Sequence, residues 1–385
     1  MAQTDTMTNN TTSFLSGKLH HVDIDGIEKE LYRLWTEAGK NEEHVTRACS
    51  LNFIVLTNGK MQIQAEEMLT EITIKHPCRA ILAVAEPDET ESLDAWVTAR
   101  CHMIGGKADR QICCEQITVA WRGDGTRQLV SVVAPLTIPD LPICIWWQEE
   151  SLDMDRVRPF LPHIDRFIVD TNHMKAPYSG IVGLETLLNI LTGGAAIYDL
   201  NWQRLRPWRY ALAHAFDDRA GLLEVEDLDS ISSLEITVSQ KDDKEPSLAQ
   251  ALLLLGWLSS RLSWQLVSAN RDGAGIESVY RLSYTKIDAR IETIREPSLT
   301  PGLVQKVRIG LKDNTEKELR IWQDDLHPGL STGMVATGSQ ATPHGTRCRE
   351  KPQAELIGAL LDNPTRDKIL VSAVYAACDL IRCFR

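Results

Sequence analysis

The segment from Thr137 to Trp147, which reads T-I-P-D-L-P-I-C-I-W-W, constrains the fold more than any other part of this chain. Its two prolines, Pro139 and Pro142, set a rigid turn because each fixes its own backbone φ angle. The apolar run that follows is typical of a buried strand in a sheet covered on both faces. Since successive strand residues face opposite ways, Trp146 and Trp147 need cover on opposite faces. The segment carries no nucleophile, acid–base pair or metal-ligand set, so it indicates a structural role and no reaction.

The length and charge of the chain set broad limits on its class. Its 385 residues exceed what one hydrophobic core usually fills, which predicts two domains. The net charge of −12 argues against partners with a phosphate-rich surface, so we expect neither nucleic-acid nor membrane binding. The longest apolar run, residues 251–258, is far shorter than the ~20 residues that span a bilayer.

The N-terminal stretch is polar, rich in Thr and Asn, and lacks the apolar centre of a signal peptide. We therefore expect residues 1–20 to form a disordered tail and the protein to be cytoplasmic. Nine cysteines in such a compartment are most simply free thiols. The adjacent pair Cys113 and Cys114 is expected to be two half-buried thiols that face opposite ways.

Residues 21–197 are predicted to form an α/β domain. Short apolar runs alternate there with helical patterns, which favours a mainly parallel sheet with helices on both faces. The clearest strand patterns are 80–85 and 143–147, and the clearest helical patterns are 61–75 and 179–191.

Residues 198–385 are predicted to form an α+β domain with an antiparallel sheet and C-terminal helices. A long apolar helix at 247–265 precedes several strand patterns between 278 and 337. Two helices, near 354–361 and 367–383, are the last predicted elements. A helix, a run of strands and further helices in this order are typical of that class.

The search for chemistry found no common nucleotide-binding motif. Neither G-x-G-x-x-G nor G-x-x-x-x-G-K-[ST] occurs, and H-E-x-x-H is absent as well. The glycine pairs at 105–106 and 193–194 do not stand between a strand and a helix, as a phosphate-binding loop requires. We predict no catalytic residue, no cofactor and no metal, although missing motifs do not by themselves exclude an enzyme.

Residues 201–209 combine two tryptophans with three arginines. Trp and Arg are enriched at protein–protein hot spots, so this segment is a candidate partner surface. The alternative is an interdomain joint, in which the tryptophans are buried and the arginines pair with nearby acids. The sequence leaves both interpretations open for Trp202, Arg204, Arg206, Trp208 and Arg209.

Four segments, in this order, resemble those of one protein family. They are H-P-C-R-A-I-L from His76 to Leu82, I-P-D-L-P and W-W between Ile138 and Trp147, D-R-F-I-V-D from Asp165 to Asp170, and D-L-N-W-Q-R-L-R-P-W-R from Asp199 to Arg209. Together they resemble the OpcA family, the glucose-6-phosphate dehydrogenase assembly proteins of cyanobacteria and actinobacteria. We assign a structural role to the motif residues His76, Pro77, Arg79, Pro139, Asp140, Pro142, Trp146 and Trp147.

The resemblance implies a protein without catalytic activity that binds oligomeric glucose-6-phosphate dehydrogenase and promotes its active state. Such a protein supports NADPH supply through the oxidative pentose phosphate pathway. An activator must bind the competent state of its target more tightly, and a tenfold population shift needs ~1.4 kcal/mol of differential affinity. An enzyme or a sugar-phosphate-binding protein with an unrecognised site in the α/β domain is the open alternative.

Family members in photosynthetic cells are also associated with thioredoxin control, which directs attention to the last cysteines. Cys378 and Cys383 lie five residues apart on a predicted helix, with Cα atoms about 8–9 Å apart. A disulfide needs Cα atoms within about 7 Å, so forming one would unwind the last turn. We predict a redox switch on dehydrogenase binding here, with Cys348 as an alternative partner and thioredoxin as a transient one. The alternative is two thiols without a redox role.

Overall fold

The computed structural model describes fourteen parts of the chain, which fall into two compact units. Unit 1 comprises residues 1–148, 155–167 and 357–362, and unit 2 comprises 149–154, 168–356 and 363–385. The predicted tail lies outside the described residues, apart from His20. The described residues are 20–41, 45–103, 111–123, 128–174, 177–191, 194–217, 222–241, 245–273, 275–312, 314–323, 329–336, 344–346, 351–362 and 365–384.

Strands and α-helices alternate through most of the first half of the chain, and strands dominate much of the second half. The first elements are β1 His20–Val22, α1 Ile27–Asn41, β2 Val45–Arg47, β3 Asn52–Asn58, α2 Gln62–Lys75, β4 Arg79–Glu86, β5 Ser92–Met103, β6 Gln111–Arg122, α3 Leu129–Val133, β7 Ile143–Trp147, α4 Met154–Val157, β8 Arg166–Val169, α5 Ser179–Ile190 and β9 Ala196–Asp199. The later elements are α6 Leu200–Arg204, α7 Arg206–Ala215, β10 Ile231–Gln240, α8 Ala249–Arg261, β11 Gln265–Asp272, β12 Gly275–Leu282, β13 Thr285–Arg295, β14 Val304–Leu311, β15 Asn314–Gln323, β16 Leu330–Ala336, β17 His344–Thr346, α9 Gln353–Asp362 and α10 Lys368–Cys383.

The sheet of unit 1 is mainly parallel, as predicted. Its strand order is β1-β5-β6-β4-β3-β7-β8, with β2 paired to β6. β3 pairs parallel with β4 and β7, and β4 pairs parallel with β6. Antiparallel pairs occur at one edge, where β5 lies between β1 and β6. Parallel strands need crossover connections, and α2 supplies the one between β3 and β4.

The proline turn before β7 is held by one buried side chain of β3. Asn52 is fully buried, and its Nδ2 donates to the carbonyl oxygens of Ile138 at 3.0 Å and Leu141 at 3.2 Å. Its Oδ1 accepts the Ile138 N–H at 2.7 Å. Within the turn Asp140 adopts a positive φ of 64°, a conformation that Asp tolerates better than most residues. The turn therefore delivers β7 to the centre of the sheet in a defined register.

Both tryptophans of β7 are buried, as the alternating strand geometry requires. Trp146 is 0% exposed and Trp147 is 1% exposed. The Trp147 ring stacks on Phe167 with centroids 6.2 Å apart, and the guanidinium of Arg156 lies 5.4 Å from the same ring. Two large aromatic rings on opposite faces of one strand tie the sheet to the layers that cover it.

Replacing Asn52 by alanine should lower the free energy of unfolding by about 2 kcal/mol, because backbone groups of Ile138 and Leu141 in the partly buried proline turn would lose their hydrogen-bond partner. Urea unfolding of the two proteins measures this difference. Asn58→Ala is the matched control, since Asn58 is only partly buried and its side chain accepts two N–H groups of the turn before α2, where a loss of about 1 kcal/mol is usual. Equal losses in the two variants would contradict the role of Asn52 in holding the proline turn.

Unit 2 contains the end of β8 beside β9 and a separate eight-stranded sheet. That sheet has the order β11-β12-β13-β10-β14-β15-β16-β17. Its neighbours pair antiparallel except β10 and β13, which pair parallel. The buried, leucine-rich helix α8 packs against β10 and against α10. The predicted α+β class with an antiparallel sheet and C-terminal helices is confirmed.

The long apolar helix of unit 2 is shorter than predicted. The expected span of 247–265 ends at Arg261, and β11 begins at Gln265. Ser263 has a positive φ of 56°, which reverses the chain and stops the helix. The pattern Trp264–Val267 continues the apolar character of the helix, so periodicity alone did not reveal the strand.

The boundary predicted at 197/198 stays a prediction, and the two compact units divide the chain in another way, with residues 168–197 in unit 2 and 357–362 in unit 1. One further finding differs from expectation. Cys113 is disulfide-bonded rather than a free thiol, and it stands opposite Cys101 in the register of β5 and β6. Cys114 is a buried free thiol. Within the described residues, no helix combines the length and apolarity needed to span a membrane.

Candidate functional site

The carboxyl end of the parallel sheet in unit 1 is where a fold of this strand order holds a ligand. Counted in chain order, the parallel strands β3, β4, β6 and β7 have the spatial order 3-2-1-4, as in dinucleotide-binding sheets. The order reverses between β3 and β7, and the loop after the first strand is the usual phosphate-binding element. Here that loop reads N-G-K-M from Asn58 to Met61 and leads into α2.

The loop after β3 is capped by its own side chain. Asn58 Oδ1 accepts the backbone N–H groups of Lys60 at 3.0 Å and Met61 at 3.2 Å. Free N–H groups at such a helix start are the donors that bind a phosphate in other proteins. Asn58 satisfies two N–H groups of the turn that precedes Gln62, the first residue of α2, so a phosphate bound to those two groups would have to displace its side chain.

An acidic side chain also lies against this loop. A Cβ at Gly59 would collide with the carboxylate of Glu86, the last residue of β4. In dinucleotide-binding sheets an acid near this position contacts the ribose. Here Glu86 accepts from Arg122 Nε at 2.8 Å, and Arg122 Nη1 also donates to Asp94 at 2.8 Å. The carboxylate is held in an ion-pair cluster and opposes a pyrophosphate at the loop.

The His-Pro-Cys-Arg motif places a buried arginine in unit 1. Arg79, the first residue of β4, donates from Nη1 to Glu28 at 2.6 Å and from Nε to Glu115. Glu115 is buried and also accepts from Arg47 at 2.9 Å and from Trp35 at 3.0 Å. The cluster joins α1, β4 and β6, which fits the structural role predicted for Arg79.

The other residues of the two unit 1 motifs lie at turns. His76 is partly buried, with Nδ1 3.7 Å from an Asp362 oxygen. Pro77 offers its carbonyl oxygen to the Ser50 N–H at 2.9 Å, and the Pro142 carbonyl accepts from the Asn52 N–H at 2.8 Å. Pro139 is exposed. These contacts make the motif positions parts of turns that enter β4 and β7.

In unit 2, the fourth motif meets the end of the third through a buried ion pair. Arg204 donates from Nη1 to Asp170 Oδ1 at 2.8 Å and from Nη2 to Oδ2 at 2.7 Å. The Asp170 side chain is 4% exposed and that of Arg204 is 14% exposed. Burial alone would raise the pKa of Asp170, but the Arg204 guanidinium outweighs it and holds the pKa below its usual value. The paired motifs therefore clamp β8 to α6.

A second buried carboxylate lies beside this pair. Asp199 is fully buried and accepts the N–H of Thr171 at 3.0 Å, the Thr171 hydroxyl at 2.8 Å and the N–H of Asn201 at 3.0 Å. Burial and the neighbouring Asp170 carboxylate raise the pKa of Asp199 to about 7. Two carboxylates with pKa values driven apart lie at the ends of β8 and β9.

The raised pKa of Asp199 predicts a pH-dependent stability. Because the folded-state pKa of about 7 exceeds the ordinary 3.8, the contribution is fully present below pH 3.8 and is lost as the pH rises through about 7. Between pH 5.5 and 7.5 we expect a loss of about 2 kcal/mol in the free energy of unfolding. Urea titrations across this range measure it, with Asp199→Asn as the comparison. An unchanged pH slope in that variant would refute the assignment.

The tryptophans of the fourth motif are buried inside unit 2. Trp202 is 0% exposed and Trp208 is 6% exposed. Trp202 Nε1 donates to Asp367 Oδ2 at 2.6 Å, and Asp367 Oδ1 caps α10 by accepting the N–H groups of Ile369 and Leu370. The motif is thereby connected to the start of α10.

The three motif arginines differ in exposure. The Arg209 guanidinium lies 3.5 Å from the centroid of the Trp202 ring, and burial lowers the pKa of Arg209 to about 10. Arg204 is held by Asp170, whereas Arg206 is exposed at the first position of α7. Buried tryptophans and an arginine paired with an acid are the features expected if this segment is structural and is not a partner surface. Of the five candidate interface side chains, Arg206 is the one classed as exposed.

The predicted redox cysteines lie on an intact α10. Cys378 is a buried free thiol whose Sγ lies 3.6 Å from the Ile181 carbonyl oxygen, and Cys383 is an exposed free thiol. Burial and the neighbouring Glu185 carboxylate raise the pKa of Cys378 to about 12. Cys348 lies outside the described residues. The switch stays a prediction.

One G-x-S-x-G pattern, Gly329 to Gly333, occurs in the chain. A nucleophile elbow needs this pattern between a strand and a helix. Here Ser331 is 2% exposed and lies within β16 of the antiparallel sheet, so the pattern does not form an elbow. Among the described residues, no group of three or more His, Cys, Asp or Glu could hold a metal ion.

Sequence reasoning missed the acidic partners of the motif arginines. Asp170, Asp199 and Glu115 are polar residues that are nearly fully buried, and each is bonded to a motif residue or its neighbour. Asp170 and Asp199 end the third motif and open the fourth, so their place in the motifs was a signal. Glu115 carried no signal, because it stands beside two cysteines within an apolar strand.

Comparison with protein families gives two consecutive matches. A glucose-6-phosphate dehydrogenase subunit N-terminal domain matches residues 69–186, and the C-terminal domain of the same subunit matches 195–374. Three of the four motif segments fall in the first match and the fourth falls in the second. The two matches together cover about three quarters of the chain.

Curated relatives carry the same family name. A putative OxPP cycle protein OpcA of Synechocystis sp. is 30% identical over 214 residues, which cover 55% of this chain and 42% of that protein. The protein of that name from Nostoc punctiforme is 32% identical over 224 residues, which cover 57% of this chain and 45% of the relative. The matched part of the chain thus spans about half the length of these relatives.

Solved structures resemble the fold. An oxidoreductase from Sinorhizobium meliloti has a TM-score of 0.50 and 11% sequence identity, and the match covers 86% of this chain and 96% of the other. At that identity the likeness shows a Rossmann-like fold and nothing about activity. Since two successive domain models of one subunit match in order and contain all four motif segments, the chain belongs to the OpcA family of glucose-6-phosphate dehydrogenase subunits.

Proposed function

We propose that this chain is a non-catalytic subunit that binds glucose-6-phosphate dehydrogenase and acts as its allosteric activator. Both halves match domains described as parts of a glucose-6-phosphate dehydrogenase subunit, which supports the choice of partner. The curated relatives are named for the OxPP cycle, which supports the metabolic setting.

The self-capped loop after β3 is the observation that carries the non-catalytic part of this proposal. A dehydrogenase of this strand order needs free N–H groups and a glycine-rich turn at that point. In this chain the Asn58 side chain engages two of those N–H groups, and the Glu86 carboxylate lies against Gly59. Both features work against a bound pyrophosphate, so we expect weak or no binding of NADP+.

One set of measurements tests the proposal. The purified chain is mixed with the glucose-6-phosphate dehydrogenase of the same organism, and co-elution and the KM for glucose 6-phosphate are recorded. We expect a complex and a lowered KM. Separation of the two proteins with unchanged kinetics would refute the proposal. NADP+ reduction by the chain alone would instead support an enzyme.

We further propose that oxidation of Cys378 and Cys383 weakens dehydrogenase binding, with thioredoxin as the reductant. The contacts of α10 support a two-state element. Its start is fixed by Asp367, whereas the exposed Cys383 is its last residue, where a turn unwinds at low cost. Because Cys378 is buried, oxidation must open this end of the helix.

The Cys378→Ser, Cys383→Ser double variant tests the switch. We expect its affinity for the dehydrogenase to be equal under oxidising and reducing conditions, whereas the native chain binds more tightly when reduced. Cys49→Ser, at a partly exposed thiol of unit 1, is the matched control and should keep the native difference. A double variant that keeps the full difference would show that other cysteines carry it.

A further inference from the structure

Three polar side chains meet in unit 1 at the carboxyl ends of β3 and β7, where the order of the parallel strands reverses. Val55 stands opposite Trp146 in the register of these strands. The Gln148 N–H donates to the Leu56 carbonyl oxygen at 2.9 Å, which places Gln148 beside Thr57. Since successive strand residues face opposite ways, Thr57, Trp146 and Gln148 project from one face of the sheet. Open α/β sheets bind their ligands at such a reversal, outside the carboxyl ends of the strands.

These three side chains are buried, and most of their polar atoms have no partner. Thr57 and Trp146 are 0% exposed and Gln148 is 7% exposed. Across the residues that the structure describes, Trp146 Nε1 and both amide atoms of Gln148 make no hydrogen bond. The Thr57 hydroxyl lies 3.5 Å from the Asn58 carbonyl oxygen, which is beyond the usual length of a hydrogen bond. Nearly all buried polar groups in folded proteins are hydrogen-bonded, so these groups indicate a polar molecule that binds here.

The hydrogen-bonding capacity of the three side chains identifies the chemistry of that molecule. The indole N–H of Trp146 and the amide NH2 of Gln148 donate, the amide oxygen accepts, and the Thr57 hydroxyl does either. A hydroxyl group satisfies all of them, because it both donates and accepts. A carboxylate or a fully ionised phosphate only accepts and would leave the Gln148 oxygen unpaired, whereas an ammonium group only donates.

The charges at this edge of the sheet also favour an uncharged ligand. Thr57 is paired with Val84 of β4, and Glu86 follows two residues later on the same face. Arg122 pairs with both Glu86 and Asp94, so these three side chains together carry a net negative charge. That charge opposes an anion near the crevice, and none of the three polar side chains is a cation that would bind one.

We propose that Thr57, Trp146 and Gln148 bind an uncharged polyhydroxy compound, such as a free sugar, through one of its hydroxyl groups. The ligand hydroxyl accepts from the Trp146 indole N–H or the Gln148 amide and donates to the Gln148 amide oxygen. The site lies beside the loop whose N–H groups Asn58 already engages, and it needs none of them. This inference goes beyond dehydrogenase binding and does not depend on it.

Titration of the purified full chain with D-glucose, D-ribose and glycerol tests the site, with glucose 6-phosphate as the charged comparison. We expect at least one of the three uncharged compounds to bind, and we expect glucose 6-phosphate to bind more weakly than glucose. Binding is measured by isothermal titration calorimetry. In NMR spectra of the ¹⁵N-labelled chain, the indole N–H resonance of Trp146, assigned with the Trp146→Phe variant, should shift when the bound compound is added.

Gln148→Leu is the decisive variant, because leucine keeps the approximate volume of the side chain and removes both amide atoms. We expect the affinity for the bound compound to fall about tenfold or more. The Tm should not fall, since unpaired buried polar atoms are replaced by apolar ones. The matched control is Gln64→Leu, at an exposed glutamine of α2 in the same unit, which should change the affinity less than about twofold. Thr57→Val gives a second test, and it should also weaken binding.

The outcomes decide the inference in either direction once circular dichroism has shown that each variant is folded. Binding of none of the three uncharged compounds would show that ordered water alone completes these groups, and would overturn the inference. Equal affinities of the native chain, Gln148→Leu and Thr57→Val would place the binding elsewhere, with the same consequence. Tighter binding of glucose 6-phosphate than of glucose would overturn the choice of an uncharged ligand. Failure of the chain to bind the dehydrogenase would leave the inference unaffected.

Discussion

Arg204→Ala should lower the free energy of unfolding by about 3–5 kcal/mol, one of the two largest effects that we expect from a single substitution. The guanidinium makes two bonds of 2.8 and 2.7 Å to Asp170, whose side chain is 4% exposed. Removing it leaves a buried carboxylate without its countercharge. The remaining donors, Asn172 N–H at 3.2 Å and Gln353 Nε2 at 3.3 Å, are neutral and longer, and His173 Nδ1 lies 3.7 Å from Asp170 Oδ2 on a side chain that is 44% exposed. Urea unfolding measures the loss.

Arg206→Ala is the matched control, because Arg206 belongs to the same motif but is exposed. We expect its effect on the free energy of unfolding to stay within about 0.5 kcal/mol. Adding Asp170→Asn to Arg204→Ala should recover part of the loss, since no charge is then buried alone. Equal losses for the two arginines would contradict the structural role of Arg204. If Arg206→Ala bound the dehydrogenase more weakly, the prediction that this segment contacts the partner would be supported.

Arg79→Ala should destabilise unit 1 by about 3 kcal/mol or more. The Arg79 side chain is 4% exposed and pairs with Glu115, whose side chain is 0% exposed. Its Nη1 also donates to the Leu136 carbonyl oxygen at 2.7 Å, so the substitution leaves two buried acceptors short of a donor. Urea unfolding followed by circular dichroism measures the loss.

Arg47→Ala provides the comparison, because Arg47 donates to the same Glu115 oxygen at 2.9 Å from a side chain that is 46% exposed. Solvent screens that pair, so we expect a loss below about 1 kcal/mol. The two variants remove the same charge from the same acceptor and differ mainly in burial. If Arg79→Ala and Arg47→Ala lower the free energy of unfolding by the same amount, burial of Arg79 does not explain why the motif contains an arginine.

The sequence predicted the elements of this fold more accurately than their ends. Ile143–Trp147 was placed as a buried strand at its observed bounds, because a proline turn and an unbroken apolar run define it on both sides. β11 was missed, since the apolar pattern of α8 runs on past the left-handed Ser263 that ends the helix. A reversal of the backbone at one serine does not change the periodic pattern of apolar residues in the sequence.

The candidate site could be foreseen only in part. The missing glycine-rich motif was visible in the sequence, but the Asn58 cap and the Glu86 contact bring together residues of two strands. The tryptophans of residues 201–209 were equally compatible with a surface and with a core. Trp202 donates its indole N–H to Asp367, a residue 165 positions further on, and no local pattern reveals such a contact.

The amino-acid sequence by itself determined the family, the two fold classes and the demand for cover on both faces of β7. These follow from local patterns, because each pattern depends on residues that are close together in the sequence. Only the tertiary structure decided which polar residues are buried as pairs and which motif arginine meets solvent. The reason is that burial and charge pairing are set by contacts between distant segments, and the free energy of a charged group depends on those contacts.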